Sequence, residues 1–321
     1  MQKVTVLYVA GTGRSGSTLL GNILGQVPGF FSGGEINNLF KRGMVENWYC
    51  GCRERFNSCP VWSEVVARAY GPEKIDPQEM VDSLNRLNRV RHIPSLLLRS
   101  RRNPDRLDGR AQSYLERLDR LYCTLGETTG ARAIVDSSKS PAYGHLLGML
   151  PSVDLVVVHL VRDPRGTAFS WRKKVIRSDG ASVRPMQRMS LLKSSALWSV
   201  WNLTAEAMWT RSPVPYLRLR YEDLVADPAR SVNRVLELAG AKRQNLGFIG
   251  EGCIALDAHH TISGNPIRLK TGNLELKPDL EWASEMPHFQ RLVVTALTAH
   301  SLVRYGYRLG RSQQFSLSRL S

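Results

Sequence analysis

The amino-acid sequence predicts an α/β fold, a parallel sheet with helices on both faces. Three observations carry the prediction. Runs rich in β-branched residues recur at 4–10, 133–135 and 155–161, and a further strand is read at 216–220. The first and third are apolar almost throughout, as strands covered on both faces are. Segments with helical apolar spacing lie between the runs, and strands alternating with helices build a parallel sheet.

The first run leads into Gly11-Thr12-Gly13-Arg14-Ser15-Gly16-Ser17-Thr18, then into a helix start at Leu19-Leu20-Gly21-Asn22-Ile23-Leu24. A strand, a glycine turn and a helix N-terminus make an anion cradle, because backbone N–H groups and the helix dipole converge on one point. The spacing fits G-x-x-x-x-G-K-[ST] at Gly11, Gly16 and Thr18, with Ser17 in the place of the lysine. That lysine reaches the β- and γ-phosphates of a triphosphate. The core is therefore P-loop-like and nucleotide-binding, but suited to a phosphosulfate rather than a triphosphate. Arg14 offers a fork of donors, and Ser15, Ser17 and Thr18 offer hydroxyls. Gly13, Arg14, Ser15, Gly16, Ser17 and Thr18 are the candidate ligand contacts; a turn whose glycines serve only tight packing is the structural alternative.

The run 155–161 ends in Arg162-Asp163-Pro164. Pro164 suits the first position of a helix and Asp163 its N-cap. Arg162 then stands at the carboxyl end of a strand, where open α/β sheets bind ligands. Ser170 lies eight residues on, about two helical turns later, so that it can face the same ligand. An arginine with a hydroxyl clamps an isolated phosphate.

These two signatures together resemble those of sulfotransferases that use 3′-phosphoadenosine-5′-phosphosulfate (PAPS). In that family a Lys or Arg precedes Ser-Gly-(Ser/Thr)-Thr, matched here by Arg14 to Thr18. A later Arg and Ser hold the 3′-phosphate, matched by Arg162 and Ser170. The segment 219–224 is similar to a strand-end segment of the family. Gly264-Asn265-Pro266-Ile267-Arg268 resembles a loop frequent in bacterial members. The resemblance spans residue 4 to about 285. It implies in-line transfer of a sulfuryl group from PAPS, as co-substrate and without a metal, to a hydroxyl of a small-molecule, carbohydrate or lipid acceptor.

Such a transfer needs a base for the acceptor hydroxyl and a cation for the charge that develops on the bridging oxygen. Glu35 is the expected base, in a loop just after the first helix; some members of the family use a Glu there and others a His further on. His92 and His145 are the alternatives. His159 falls inside a buried run and reads as a core residue, and the doublet His259-His260 is a weaker candidate. Lys139 follows the short strand at 133–135 and is positioned to neutralise the sulfuryl group or the leaving oxygen, together with Arg14. Ser137 and Ser138 read as a helix cap, with a bond to the acceptor as the alternative. Arg268 and Lys270 are expected in a loop closing over the nucleotide, with Arg268 touching it. Trp171 stacks on adenine or belongs to the core.

The chain has 321 residues and a net charge of +16, and reads as one domain, 1–321, with a helical acceptor-side insertion at about 40–128. An anionic co-substrate explains part of the charge. Residues 86–120 hold ten arginines, among them Arg99, Arg101 and Arg102, on a solvated helix face or facing an acidic acceptor. A nucleic-acid-binding module is the second functional class that the charge admits, but basic residues are not interleaved with exposed aromatics. A small-molecule kinase is the third, and Ser17 argues against it. Cys50, Cys52 and Cys59 form C-x-C-x6-C, one short of the four ligands zinc takes, and read as small buried hydrophobes rather than a metal site or a Cys52–Cys59 disulfide. No stretch approaches the ~20 apolar residues of a membrane span, and the first apolar run is too short for a signal peptide. The expectation is a cytoplasmic protein; the sequence is silent on oligomeric state.

Overall fold

A computed structural model of the chain describes residues 3–71, 75–88, 108–177 and 184–309. Its centre is a sheet of β1 (Val4–Gly11), β2 (Phe30–Gly34), β3 (Ala133–Lys139), β4 (Val153–Val161) and β5 (Tyr216–Arg220). The spatial order is β2-β3-β1-β4-β5, with every neighbouring pair parallel. All carboxyl ends therefore share one edge, which gathers Gly11, Gly34, Lys139 and Val161.

The helices in chain order are α1 (Ser17–Leu24), α2 (Pro60–Tyr70), α3 (Pro77–Leu87), α4 (Gly109–Thr129), α5 (Pro141–Leu147), α6 (Pro164–Arg172), α7 (Leu191–Trp209), α8 (Tyr221–Ala226), α9 (Pro228–Leu238), α10 (Glu281–Glu285) and α11 (His288–Arg304). Side chains alternate across a strand, and β1 feeds two cores. Val6, Tyr8 and Ala10 pack with α2, α4, α5 and α7, whereas Leu7 and Val9 pack with α1 and α9. Ile134 and Val157 join the first core; Val135, Val158 and Leu160 join the second. Burial on both faces accounts for the unbroken apolar runs.

Three stretches differ from the sequence expectation. Residues 30–34 form the edge strand β2 rather than a loop: Phe30 packs in the second core and Phe31 against the first. β3 continues past Val135 through Asp136-Ser137-Ser138, whose polarity disguises a buried strand. Asp136 is satisfied there by Tyr122 Oη at 2.5 Å and by the backbone N–H and hydroxyl of Ser138. The tail reads from the sequence as an irregular loop from 241 and then a helix near 287–304; the helix is α11, but the loop holds a small antiparallel sheet of β6 (Ile249–Gly250), β7 (Cys253–Leu256) and β8 (Gly272–Glu275). Between β2 and β3 the described chain is mostly helical, interrupted by a turn with an antiparallel bridge between Tyr49 and Arg55. His92, Arg99, Arg101 and Arg102 lie outside the described residues. Among the described residues no helix is long and apolar enough to cross a membrane.

Candidate active site

A cavity of about 560 Å³ opens at the carboxyl edge of the sheet. It brings together Gly13, Arg14, Gly16, Ser17, Thr18, Glu35, Lys139, Arg162 and Ser170, all named from the sequence. The turn after β1 is held open by two glycines. Gly16 has φ 91°, and a Cβ there would lie 2.4 Å from the Tyr221 ring. A Cβ on Gly13 would lie 2.6 Å from Trp171. No side chain caps α1, so its first N–H groups stay at the cavity. The Thr18 hydroxyl is taken by the tail, accepting from the Asn265 N–H at 3.2 Å.

Arg14 and Arg162, 148 residues apart in sequence, meet: an Arg162 Nη donates to the Arg14 carbonyl at 3.1 Å. The Arg14 guanidinium lies 5.0 Å from the centre of the Trp171 ring. Burial, then Arg177 and Arg162, pull its pKa below the usual guanidinium range. Cations crowded together in excess of the carboxylates around them favour an anion. Among the described residues, five cations line the cavity (Arg14, Arg42, Lys139, Arg162 and Arg177) against two carboxylates, Glu35 and Asp279.

Glu35 follows β2 directly and is half-buried, its side chain 16% exposed. Its Oε1 accepts from Lys139 Nζ at 2.7 Å, and its Oε2 accepts from the Ser263 hydroxyl and the Asn38 amide, each at 3.0 Å. An Arg42 Nη is 3.7 Å from Oε2. Burial pushes the carboxyl up, but Lys139 and Arg42, with hydrogen bonds from Lys139 and Ser263, outweigh it and hold the pKa at about 2. Lys139 and Ser263 reach it from left-handed backbone, φ 69° and 55°, and Arg14 shares that conformation at φ 69°. Non-glycine residues held there cost on the order of 1 kcal/mol each and cluster at functional sites.

Arg162 is buried, stacks 4.7 Å from the Tyr221 ring centre and pairs with Asp279 at 2.7 Å. Burial lowers its pKa, but Asp279 more than compensates. A tail carboxylate thus sits on the arginine expected to take a phosphate, with Ser170 in the same cavity.

Other expected residues lie elsewhere. Ser15 is buried beneath the turn and does not line the cavity. Arg268, expected over the nucleotide, points into the protein instead: its guanidinium donates to the carbonyls of Thr261 at 3.0 Å and Tyr49 at 2.6 Å. Through these two carbonyls it ties the tail loop to the segment at Tyr49 from within. Lys270 is exposed. His145, His159, His259 and His260 do not line the cavity. His159 is a satisfied core residue, bonded to Tyr216 Oη at 2.7 Å and Asn202 Oδ1 at 2.9 Å, with its pKa pushed down to about 4 by burial. Ser137 and Ser138 do not cap α5, whose N-cap position is Ser140; Ser138 bonds Asp136 and accepts from the Asn37 N–H at 3.0 Å. Trp171 lines the cavity.

Sequence reasoning missed Arg42, Arg177, Ser263 and Asp279. Arg42 and Arg177 each lie 4.6 Å from the Trp48 ring centre, on contacts that no local spacing records. The cysteines also gain a neighbour: His260 joins Cys50, Cys52 and Cys59, with all four donor atoms within 4.8 Å of one another.

Residues 7–245 match the sulfotransferase family. Among solved structures, the sulfotransferase domain of the Synechococcus PCC 7002 olefin synthase is similar at TM-score 0.50 and 19% identity, covering 94% of this chain and 95% of its own. The sulfotransferase domain of the curacin biosynthetic pathway is similar at TM-score 0.54 and 14% identity, covering 97% and 99%. At these identities the likeness is one of fold. Carbohydrate sulfotransferase 2 of Mus musculus and of Homo sapiens are each 32% identical over 124 residues, 28% of this chain and 23% of theirs. The aligned stretch is thus under a quarter of the length of these relatives. With its parallel P-loop-like sheet and a family match over residues 7–245, the chain belongs to the sulfotransferase family.

Proposed function

We propose that this chain transfers a sulfuryl group from PAPS to an acceptor hydroxyl. The observation that carries the reading is the Glu35–Lys139 pair, a carboxylate and an ammonium 2.7 Å apart in the cavity of the anion cradle. The turn 13–18 binds the 5′-phosphosulfate end through backbone N–H groups, Arg14, Ser17 and Thr18. Arg162 and Ser170 bind the 3′-phosphate, which displaces the Asp279 carboxylate. Trp171 borders the adenosine.

Glu35 removes the acceptor proton as the acceptor oxygen bonds to sulfur. The bond from sulfur to the bridging oxygen breaks in line, and adenosine 3′,5′-bisphosphate leaves. Lys139 and Arg14 stabilise the negative charge on the departing oxygen, donors preset to where charge develops. At about pKa 2 the resting Glu35 is ionised but weakly basic. Drawing Lys139 onto the bridging oxygen removes its strongest counter-charge and raises its basicity, so that the base is activated only when the donor is bound. Met189, Leu197 and Trp201 line the same cavity with apolar surface. That supports an acceptor presenting a sugar ring or apolar body beside its hydroxyl, among small molecules, carbohydrates and lipids.

Calorimetry with adenosine 3′,5′-bisphosphate tests the donor half: saturable binding, tighter than for ATP with magnesium, is the expected result. No heat would overturn it. Labelled sulfate transfer from PAPS to a panel of hydroxyl acceptors tests the other half.

A further inference from the structure

We propose that Cys50, Cys52, Cys59 and His260 form a structural zinc site that clasps the helical insertion to the tail behind the active-site carboxylate. Three thiols and one imidazole from two segments, 200 residues apart, converge on one point. The soft donor set Cys3His is one that zinc takes in closed structural sites.

The spacing of the donors fits such an ion. Zinc–sulfur bonds of about 2.3 Å at tetrahedral angles place two sulfurs about 3.8 Å apart, and a sulfur and a nitrogen about 3.5 Å apart. Here Cys59 Sγ lies 3.6 Å from Cys50 Sγ, 3.8 Å from Cys52 Sγ and 3.2 Å from His260 Nδ1. A disulfide needs about 2.05 Å and joins only two of the three sulfurs, leaving the imidazole without a purpose.

The backbone prepares each donor. Residues 48–56 make a tight hairpin: Cys50 N–H bonds the Glu54 carbonyl at 2.7 Å, and Arg53 turns back to the Cys50 carbonyl at 2.9 Å with φ 70°. This turn presents Cys50 and Cys52 on one side. Cys59 is the residue before α2, where the helix N-terminus favours a negatively charged ligand. His260 is fixed through its carbonyl, which accepts from Trp62 Nε1 at 2.6 Å, while the Gly51 N–H bonds the Thr261 carbonyl at 3.0 Å. Cys50 and Cys59 are fully buried and the other two half-buried, so the four donors form a closed set.

The location gives the site its consequence. Two residues after His260, Ile262 pairs with the edge strand β2: its N–H bonds the Gly33 carbonyl and its carbonyl accepts from the Glu35 N–H, both at 2.8 Å. Ser263 follows and donates to Glu35. Four protein ligands leave no open coordination position, so the ion takes no part in the chemistry. It positions the loop that holds Glu35.

The test is metal analysis of the full-length protein purified without chelator. About one zinc per chain is expected, as is replacement by cobalt(II) with thiolate-to-metal charge-transfer bands and the strong visible bands of a tetrahedral site. His260→Gln and Cys59→Ser are expected to lose most of the zinc, whereas Cys123→Ser and Cys253→Ser keep it. Chelation is expected to lower the melting temperature of the wild type and not of His260→Gln. The wild-type measurement decides even if a variant fails to fold. Protein without zinc that yields no tetrahedral cobalt spectrum, or a disulfide among these three cysteines in peptide mass spectra, overturns the proposal.

Discussion

Replacing Lys139 with methionine keeps most of the side-chain volume and removes the charge that sits 2.7 Å from the half-buried Glu35. Holding this carboxyl at about 2 rather than at its ordinary 4.5 is worth about 3 kcal/mol at neutral pH, at about 1.4 kcal/mol per pH unit. Breaking a buried ion pair by removing one partner costs about 3–5 kcal/mol, an upper bound for this partly exposed pair. With Lys139 gone, burial of Glu35 is opposed only by Arg42 and by its hydrogen-bond donors. A folded pKa below the unfolded one gives stability that is complete above about 4.5 and is lost as pH falls towards about 2. Lys139→Met is therefore expected to lose about 2–4 kcal/mol near pH 7 and progressively less between about pH 4.5 and 2. Urea denaturation of both proteins across that range is the assay. A penalty that is absent near pH 7, or that stays constant on acidification, would refute the electrostatic account of the pair.

Glu35→Gln is expected to cut sulfuryl transfer by about 10²–10⁴-fold while leaving affinity for adenosine 3′,5′-bisphosphate within a few-fold; near-normal turnover removes Glu35 as the base. Asp279→Asn removes the carboxylate that competes for Arg162 at 2.7 Å, so the bisphosphate is expected to bind about tenfold more tightly by calorimetry; weaker or unchanged binding means that Arg162 does not meet a phosphate. Gly16→Ala sets a Cβ 2.4 Å from the Tyr221 ring at φ 91°, and a melting-temperature drop equivalent to at least about 1–3 kcal/mol should accompany loss of bisphosphate binding. Binding of the bisphosphate should weaken steeply with added salt, since five cations line the cavity.

Local chemistry is what a sequence states openly. β1, β4 and the turn between β1 and α1 follow from continuous apolar runs and from glycines set at turn positions, and the structure keeps them within a residue or two of the sequence reading. Arg162 at a strand end and Ser170 two helical turns later are likewise local facts, so their meeting in one cavity was legible. β2 and the end of β3 were not, because Gly33-Gly34 and Asp136-Ser137-Ser138 resemble loop residues until neighbouring strands supply their hydrogen bonds.

The sequence by itself determined the parallel sheet, the glycine cradle and the cationic and carboxylate residues at its edge, since each depends on the side-chain period or backbone freedom of a few successive residues. Only the tertiary structure decided that Asp279 covers Arg162, that Arg268 turns inward, that Arg42 and Ser263 hold Glu35, and that His260 completes the cysteine cluster. Most of these contacts join residues more than a hundred positions apart. Their geometry depends on the path of the insertion and the tail across the sheet edge, a sum of packing choices that no local pattern encodes.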